Sequence, residues 1–412
     1  MNMRTISLKQ AVAVTVLVAV VAFAGGLEFS SIHKSASAAV VSDAMPADVD
    51  FSTVWKAWHT IDEKFVPAAV ATSTKIASTT AESNQERVYG MISGLAASLN
   101  DPYTYFLPPV ENQQFSDNMS GKFEGVGMEI AVKDQVLTVV TPLKGTPSER
   151  AGIKSGDQIL KIDGESTENV DVDAAVKMIR GPKGSQVTLT VSRQGWTEPR
   201  EIKVTRDVIN VPIVTSEARK DGVFVISVAT FTATAPDLFR NALREFIKSG
   251  DTKLVLDLRG NPGGYLDAAV DMASWFLPSG AVIVTEDYAG HATNIIHRSS
   301  GYDVFNKNLK MVILVNKGSA SASEILADAL RHYGVGKMVG TNTFGKGSVQ
   351  ELVTITPDTA LKVTVARWLG PDGIQIPREG ITPDVKVDVT DDDIKSGKDP
   401  QMDKAVEVLN SQ

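Results

Sequence analysis

From residue 208 onward, strand patterns alternate with helical patterns. The run GVFVISVATF (222–231) is typical of a buried strand, and APDLFRNALREFIKSG (235–250) has the spacing of an amphipathic helix. The order repeats with strand patterns at KLVLDL (253–258) and KMVILV (310–315), the second followed by another helical pattern. Strands that alternate with helices pack as layers, so the sequence predicts a layered α/β core over residues 208–390.

The preceding stretch, residues 118–207, has short strand patterns separated by glycines. It resembles a PDZ domain at three segments: GVGM (125–128), AGIKSGDQILKIDG (151–164) and DVDAAVKMIR (171–180). The resemblance implies a β-sandwich or partial barrel with helices, inserted before the α/β core. It also implies that Gly125, Val126, Gly127 and Met128 bind the terminal carboxylate of a peptide that adds to the sheet as a strand. Taken alone, G-x-G is equally typical of a tight hairpin.

The first part of the chain predicts helices and export. Residues 49–117 carry apolar residues at helical spacing, and Trp55 and Trp58 are predicted to anchor a core. Residues 1–27 combine a basic start with a charge-free apolar run of 17 residues, which indicates a signal peptide or a membrane anchor. We therefore expect an extracytoplasmic protein, in the periplasm or at the cell surface; cleavage and retention of this segment both stay open.

Two further segments complete the predicted organisation. Residues 28–48 are rich in Ser and Ala and predict a linker, and residues 391–412 predict a solvated loop followed by a short helix.

Composition excludes several kinds of chemistry. The chain has no cysteine, which removes disulfides, thiolate zinc sites and a cysteine nucleophile. Its five histidines include no close pair at metal-ligand spacing, so no metal is predicted. The net charge of −8 gives no support for nucleic acid as a partner.

The stretch GTNTFGKGS (340–348) nearly matches a phosphate-binding loop. Gly347 stands where that loop needs Ser or Thr to reach magnesium. The next residues, SVQELVTI, predict a strand and not the helix whose N-terminal amides would face a phosphate. A nucleotide cofactor is therefore not expected.

Two strand-to-helix turns are candidates for catalysis. In DLRGNPGG (257–264) the paired glycines allow bare amides to face a cavity, as an oxyanion site needs, although a plain tight turn fits as well. In NKGSASASEIL (316–326), Ser321 and Glu324 have the spacing of a helix-capping box. A serine at that position is also well placed as a nucleophile, because the helix amides can stabilise developing negative charge.

A base for such a serine is harder to assign. His332 follows Ser321 by eleven residues on the same predicted helix, roughly 16 Å away along its axis. His291 and His297 lie in a predicted polar loop and stay formal alternatives. A lysine can act as the base if burial makes it neutral, and Lys346, between two glycines, suits such a pocket.

The predicted α/β core resembles the carboxyl-terminal processing peptidases, also called tail-specific proteases. These are serine peptidases with a Ser–Lys dyad. The motif GSASASE (318–324) matches the family's nucleophile segment, and GKGSVQ (345–350) matches its lysine segment. The resemblance implies that Ser321 is the nucleophile, Lys346 the base and Gln350 the residue that orients the lysine. It also implies that the Gly263 and Ala322 amides form the oxyanion hole, with no cofactor.

Together these features predict an exported serine endopeptidase that captures apolar C-terminal tails and cleaves upstream of them. The resemblance adds the hypothesis that the PDZ domain gates the active site. The alternative is a non-catalytic or partner-gated envelope scaffold that binds protein C-termini. Homodimerisation through the N-terminal helices and a separate activating partner stay open. One geometric difficulty is that Lys346 and Gln350 would lie about 13 Å apart in an extended strand.

Overall fold

The computed structural model describes residues 46–66, 80–119, 122–133, 135–170, 172–210, 212–305 and 309–412. The chain divides into two compact units, Met1–Ala77 and Ser78–Gln412. The predicted export segment and nearly all of the predicted linker fall outside the described residues.

The first unit has one described helix, α1 (Ser52–Lys64), which confirms the helical pattern. The prediction that Trp55 anchors a core is wrong, because its side chain is 54% exposed and α1 has no buried residue. Trp58 is half-buried, and the two indole rings pack edge to face with centroids 6.5 Å apart. The apolar spacing thus reflects contact between two rings on one helix.

No described helix is long and apolar enough to span a bilayer.

The second unit begins with two helices on either side of a short strand. They are α2 (Thr80–Ala97), β1 (Tyr105–Leu107) and α3 (Pro109–Met119). The turn between α2 and β1 is closed by Asp101, whose carboxylate accepts hydrogen bonds from the Tyr103 amide at 3.2 Å and the Thr104 hydroxyl at 2.7 Å.

The predicted PDZ segment forms its own antiparallel sheet. Its elements are β2 (Lys122–Gly125), β3 (Met128–Lys133), β4 (Val136–Pro142), α4 (Pro147–Arg150), β5 (Gln158–Ile162), β6 (Glu165–Ser166), α5 (Val172–Ile179), β7 (Gln186–Ser192), β8 (Arg200–Thr205) and β9 (Asp207–Asn210).

The strand order in this sheet is β3-β4-β5-β7-β8, with β6 beside β5. Burial alternates along β7, so one face of the sheet packs inward over the apolar cluster that includes Val139, Ile159 and Leu189. Strands β2 and β9 pair with each other where the segment joins the rest of the chain.

A six-stranded sheet forms the predicted α/β core. The elements of the core are β10 (Val214–Ala218), β11 (Val223–Val228), α6 (Ala235–Ser249), β12 (Lys253–Asp257), α7 (Leu266–Ser274), β15 (Lys310–Val315), α8 (Ala322–His332), β16 (Lys337–Gly340) and β19 (Val385–Lys386).

The strand order in the core sheet is β10-β11-β12-β15-β16-β19, and all neighbours are parallel except the edge pair β10–β11. Both faces of the sheet are covered, which explains the continuous apolar runs of its central strands.

A second sheet is built around one long strand, β18 (Thr359–Leu369), which pairs with three others. These are β1, β13 (Val282–Asp287) and β17 (Ser348–Thr356), while β14 (Ile295–Arg298) pairs with β13. Because β17 begins two residues after Lys346, the strand prediction for SVQELVTI is confirmed and the phosphate-loop alternative loses its required helix.

The C-terminal segment corrects one prediction. Residues expected to form a solvated loop include a short helix, α9 (Asp391–Ser396). It starts there because Thr390 and Asp393 bond reciprocally: the Thr390 amide donates to the Asp393 carboxylate at 3.0 Å, and the Asp393 amide donates to the Thr390 hydroxyl at 3.2 Å.

The final helix, α10 (Pro400–Ser411), was predicted and covers the second face of the core sheet. Its N-cap is Asp399, whose carboxylate accepts from the Met402 amide at 3.0 Å. The same carboxylate accepts two hydrogen bonds from the Arg259 guanidinium, at 2.8 and 2.9 Å, which fasten α10 to the turn after β12.

We expect Leu409→Ala to lower the free energy of unfolding of the core by about 2–5 kcal/mol, because Leu409 is fully buried against the sheet. Urea unfolding measures the effect. Glu407→Ala, on the exposed side of the same helix, is the control and should change stability by less than about 0.5 kcal/mol. Equal effects of the two substitutions would contradict the packing of α10.

Candidate active site

The two candidate turns leave neighbouring strands at the same edge of the core sheet. The first follows β12 and the second follows β15, which pairs with β12 in parallel. In open α/β sheets, the carboxyl ends of adjacent strands form the usual crevice for ligands. The two turns predicted for catalysis therefore lie side by side.

Hydrogen bonds fasten the two turns to each other. The Asn316 side chain accepts from the Gly260 amide at 2.9 Å. In return the Asn261 carbonyl accepts from the Ala320 amide at 3.0 Å and from the Ser323 hydroxyl at 2.9 Å. Their relative position is thus set by the backbone and by the short side chains of Asn316 and Ser323.

The three serines of GSASASE differ in environment. Ser319 is fully buried and its hydroxyl donates to the Leu258 carbonyl at 2.7 Å. Ser323 is also fully buried, with its hydroxyl on the Asn261 carbonyl. Ser321 is only half-buried and precedes α8 at φ 53°, ψ −116°. That backbone is uncommon for any residue but glycine, and a strained strand-to-helix turn of this kind presents a nucleophile above a sheet.

Gly263 lies directly against Ser321. A β-carbon on Gly263 would lie 2.8 Å from Ser321 Cβ and 3.1 Å from the Ala322 amide nitrogen, and its φ is +102°. Only glycine allows this approach.

The predicted oxyanion donors need one correction. The Gly263 amide is not a free donor here, because it donates to the Asn261 side-chain oxygen at 2.9 Å. Ala322 is the first residue of α8, and its amide is among those that a helix N-terminus leaves without an intrahelical acceptor. The oxyanion role of both amides stays a prediction.

A single buried carboxylate joins the turn before α8 (316–321, the nucleophile turn) to the loop between β16 and β17 (341–347, the lysine loop). Glu324 is fully buried, and its Oε2 accepts from the Ser321 amide at 2.9 Å and the Lys346 amide at 3.0 Å. Its Oε1 accepts from the Thr343 hydroxyl at 2.6 Å and the Gly345 amide at 2.7 Å. The sequence suggested a helix cap for Glu324 but did not indicate that it also binds the lysine loop. The Glu324 side chain thereby contacts both its own motif, GSASASE, and the lysine motif, GKGSVQ, whose Lys346 follows it by 22 residues.

The glycines beside Lys346 are required by close packing. A β-carbon on Gly345 would lie 2.1 Å from the Arg378 carbonyl oxygen, and one on Gly347 would lie 2.3 Å from the Ile376 carbonyl oxygen. The backbone on both sides of Lys346 is therefore pressed against residues 376–378, where a side chain larger than that of glycine would clash.

Burial lowers the pKa of Lys346 to about 8, since a desolvated site disfavours the ammonium. The positive charge of Lys362 lowers it further, while the negative charge of Glu324 acts in the opposite direction. At neutral pH a fraction of Lys346 is consequently the neutral amine, which can accept a proton.

Gln350 lies on β17, but its amide is not bonded to Lys346. Its nitrogen donates to the Ser348 hydroxyl at 2.7 Å and to the Thr364 hydroxyl at 3.3 Å. The Thr364 hydroxyl in turn donates to the Asp101 carboxylate. A bulge between Val349 and Gln350 interrupts the strand, although it does not bring the amide onto the lysine. The orienting role of Gln350 stays a prediction.

No histidine among the described residues hydrogen-bonds Ser321. His297 lies on β14 and not in a loop, and its Nε2 is 2.7 Å from the Glu286 carboxylate. His291 is exposed in a bend, and His332 ends α8, the helix that Ser321 precedes. Among the described residues, no group of three or more acidic or histidine side chains could hold a metal.

In the PDZ segment the predicted carboxylate loop joins β2 to β3. The Gly127 carbonyl accepts from the Thr146 and Ser148 hydroxyls, at 2.8 and 2.6 Å, and Val126 is buried beneath it. Gly127 has φ +76°, and a β-carbon there would lie 2.5 Å from the Thr146 side chain. Its amide donates to no acceptor among the described residues. An amide so placed suits a peptide carboxylate.

Two family profiles match the chain. The profile described as Peptidase family S41 matches residues 222–387, and that of the PDZ domain matches residues 114–192. The second match agrees with the antiparallel domain above, and the first covers the turns and the lysine loop.

Curated relatives and solved structures agree with these profiles. The chain is 36% identical over 304 residues to the carboxy-terminal processing protease CtpA of Bacillus subtilis, a match that covers 74% of this chain and 64% of that protein. It is 40% identical over 298 residues to a probable CtpA-like serine protease of Staphylococcus aureus, covering 72% and 59%. The chain thus spans about three fifths of the length of these relatives.

Among solved structures, the photosystem II D1 C-terminal processing protease is 30% identical, with a TM-score of 0.54, over 74% of this chain and 82% of that one. A putative S41 protease from Bacteroides fragilis shares the fold at 17% identity, with a TM-score of 0.56 over 90% and 99%.

We expect Glu324→Gln to abolish most activity and to lower stability. A glutamine places an NH₂ group against donors that now face a carboxylate oxygen, and each buried donor left unsatisfied costs about 1–3 kcal/mol. Peptidase assays and urea unfolding measure the two effects. The same change at exposed Glu351, on β17, should leave both near wild type. A Glu324→Gln protein with normal activity would show that the carboxylate does not hold the site together.

We expect Gly263→Ala to reduce activity by at least about 100-fold, because the added methyl group would displace Ser321 or the Ala322 amide. Gly260→Ala is the matched control: Gly260 lies in the same turn with φ +68°, and its added methyl group would meet no atom within 4 Å. Equal loss in both variants would attribute the effect to backbone strain and not to the contact with Ser321.

Proposed function

Because the chain belongs to peptidase family S41, we propose that it is an exported serine endopeptidase that captures the C-terminal tail of a protein substrate and cleaves near it. The observation that carries this proposal is the Glu324 carboxylate, which bonds the backbone of both Ser321 and Lys346. The two residues whose amides share this carboxylate are a strained, half-buried serine and a lysine whose pKa burial lowers to about 8.

In this mechanism Ser321 Oγ attacks the scissile carbonyl carbon while the neutral Lys346 amine takes its proton. The tetrahedral intermediate collapses, the C–N bond breaks, and Lys346 returns the proton to the leaving amine. A water molecule then loses a proton to Lys346 and attacks the acyl-enzyme ester; the bond from the carbonyl carbon to Ser321 Oγ breaks, and Lys346 returns the proton to Ser321 Oγ. With a pKa of about 8, about one tenth of Lys346 is neutral at pH 7.

Negative charge on the intermediate is stabilised at the start of α8. The Ala322 amide supplies one donor, assisted by the helix dipole. Gly263 contributes a second donor only if its amide exchanges the Asn261 side chain for the oxyanion, because that bond occupies it in this structure.

Substrate selection is assigned to the PDZ domain. A tail would add as a strand along β3, with its carboxylate at residues 125–128 and its side chains toward α5. The Gly127 amide, which bonds no acceptor in the described part of the chain, supports this assignment, and so do two relatives that are C-terminal processing proteases. Apolar tails are the expected class, because Met128, Ile130 and Ile179 belong to the apolar cluster between these elements.

Export is proposed from residues 1–27 alone, whose basic start and apolar run are typical of a signal peptide or anchor. If the segment is retained, the enzyme would act at a membrane surface.

The test is cleavage of a folded protein that carries an apolar C-terminal tail, by the wild type and by Ser321→Ala and Lys346→Ala. We expect the wild type alone to cleave. Amidation of the tail carboxylate should slow cleavage about 10-fold or more, because a charge-assisted bond to the loop is lost. Circular dichroism of the variants checks that they fold.

Cleavage that persists in Lys346→Ala would refute the dyad. Tail binding without any cleavage by the wild type would favour the scaffold alternative.

A further inference from the structure

Phe344 carries a half-exposed ring on a loop whose backbone is fixed against the nucleophile turn. The residue is 46% exposed and lies between the buried residues Thr343 and Gly345. The Phe344 amide donates to the Ser319 carbonyl at 2.9 Å. The Thr343 hydroxyl and the Gly345 amide donate to the Glu324 carboxylate, at 2.6 and 2.7 Å. The backbone that carries the ring is therefore held at three consecutive residues.

The Glu324 carboxylate also places this backbone beside the nucleophile. One of its oxygens accepts from the Gly345 amide, and the other accepts from the Ser321 amide at 2.9 Å. The residue that follows Phe344 is thus separated from Ser321 by one carboxylate and two hydrogen bonds.

A second half-exposed ring belongs to the turn after β12. Tyr265 is 48% exposed and follows Gly263 by two residues, and a β-carbon on Gly263 would lie 2.8 Å from Ser321 Cβ. The Tyr265 amide donates to the Phe231 carbonyl at 2.7 Å, and the Phe231 amide donates to the Gly263 carbonyl at 2.9 Å. The backbone that carries this ring is therefore fixed as well.

The order of strands places the two aromatic residues on either side of Ser321. The nucleophile turn follows β15, which lies between β12 and β16 in the core sheet. Tyr265 comes after β12 and Phe344 after β16. Neighbouring parallel strands lie about 4.8 Å apart and run in the same direction, so their three carboxyl ends form a row with the serine turn in the middle. A peptide that crosses Ser321 along this row would pass both aromatic residues.

Exposure by itself does not make an aromatic ring part of a site, because single apolar side chains are common on protein surfaces. What distinguishes these two rings is that both belong to hydrogen-bonded backbones next to the serine. Large, rigid aromatic side chains lose little conformational freedom on binding, which is why they are enriched where proteins contact their partners.

We propose that Phe344 and Tyr265 are specificity-determining residues, which contact the substrate side chains on the two sides of the scissile bond and select apolar ones. The proposal rests on the function proposed above. It adds a selection at the cleaved bond to the selection of the tail that is assigned to the PDZ domain. An apolar substrate side chain gains by burying surface against a ring, whereas a charged one would lose water there without gaining a partner.

The experiment uses proteins that share one apolar C-terminal tail and differ only at the bond that the wild type cleaves, which mass spectrometry locates. The residue on each side of this bond is either leucine or aspartate. We expect the wild type to favour leucine on both sides. Phe344→Ala should lower kcat/KM for leucine on one side by about 10-fold or more, and Tyr265→Ala should do so on the other side, with little change for aspartate.

Three further variants test whether the rings act through their apolar surface. Phe344→Leu and Tyr265→Phe keep an apolar side chain and should keep the preference for leucine. Ile355→Ala is the matched control, because Ile355 is 44% exposed near the end of β17, and it should leave every rate near that of the wild type.

A second measurement needs no catalysis. Calorimetry compares the binding of two short peptides, one with a Leu-Leu pair and one with an Asp-Asp pair, to the Ser321→Ala protein. Both peptides are amidated and lack the apolar tail, so the carboxylate loop of the PDZ domain has no terminal carboxylate to bind. The Leu-Leu peptide should bind more tightly, and the addition of Phe344→Ala and Tyr265→Ala should remove the difference.

The outcomes separate the two proposals. A loss that is equal for leucine and aspartate substrates, an unchanged preference in both alanine variants, or equal binding of the two peptides would overturn the specificity role and leave the dyad intact. A wild type that cleaves none of the substrates would defeat the proposed function, and the calorimetry would then decide whether the two rings select apolar side chains.

Discussion

The site depends on one buried carboxylate. Glu324 accepts four hydrogen bonds from the nucleophile turn and the lysine loop, and no other described side chain bonds both segments. A buried carboxylate is destabilising unless it is fully hydrogen-bonded. The hydrogen bonds that compensate for the burial of Glu324 therefore also fix the backbones of Ser321 and Lys346. The carboxylate that caps α8 therefore also bonds the backbone of Lys346.

That interaction also creates a conflict, which the surroundings resolve. A carboxylate near Lys346 favours the ammonium, which would make the lysine useless as a base. Burial of the side chain and the charge of Lys362 act against it, and together they prevail, since the pKa of Lys346 falls to about 8. The Glu324 carboxylate accepts its hydrogen bonds from backbone amides and a hydroxyl. It therefore positions Lys346 through the main chain without forming an ion pair with the ammonium.

The scaffold supplies the rigidity that such a balance needs. Parallel strands buried on both faces hold the two turns at one sheet edge, and the Arg259–Asp399 bonds fasten α10 across the second face. Glycines occur where backbones meet: Gly263 against Ser321, and Gly345 and Gly347 against residues 376–378. The strained backbone of Ser321 is held by the bond from its amide to Glu324 and by its close contact with Gly263.

The sequence by itself determined the layered α/β core, because hydrophobic period is a local property of a chain. The PDZ segment and the motifs around Ser321 and Lys346 were recognised by their resemblance to known families, which is carried by short stretches of sequence. It could not decide what depends on contacts between distant segments. Trp55 is exposed although its spacing suits a core. The Gly263 amide bonds Asn261, and Gln350 bonds Ser348 and Thr364, so the roles of these two residues stay predictions. Only the tertiary structure showed that the Glu324 carboxylate bonds the backbone amides of both Ser321 and Lys346. The physical reason is that burial, charge and hydrogen-bond partners are set by residues far away along the chain, which no local pattern records.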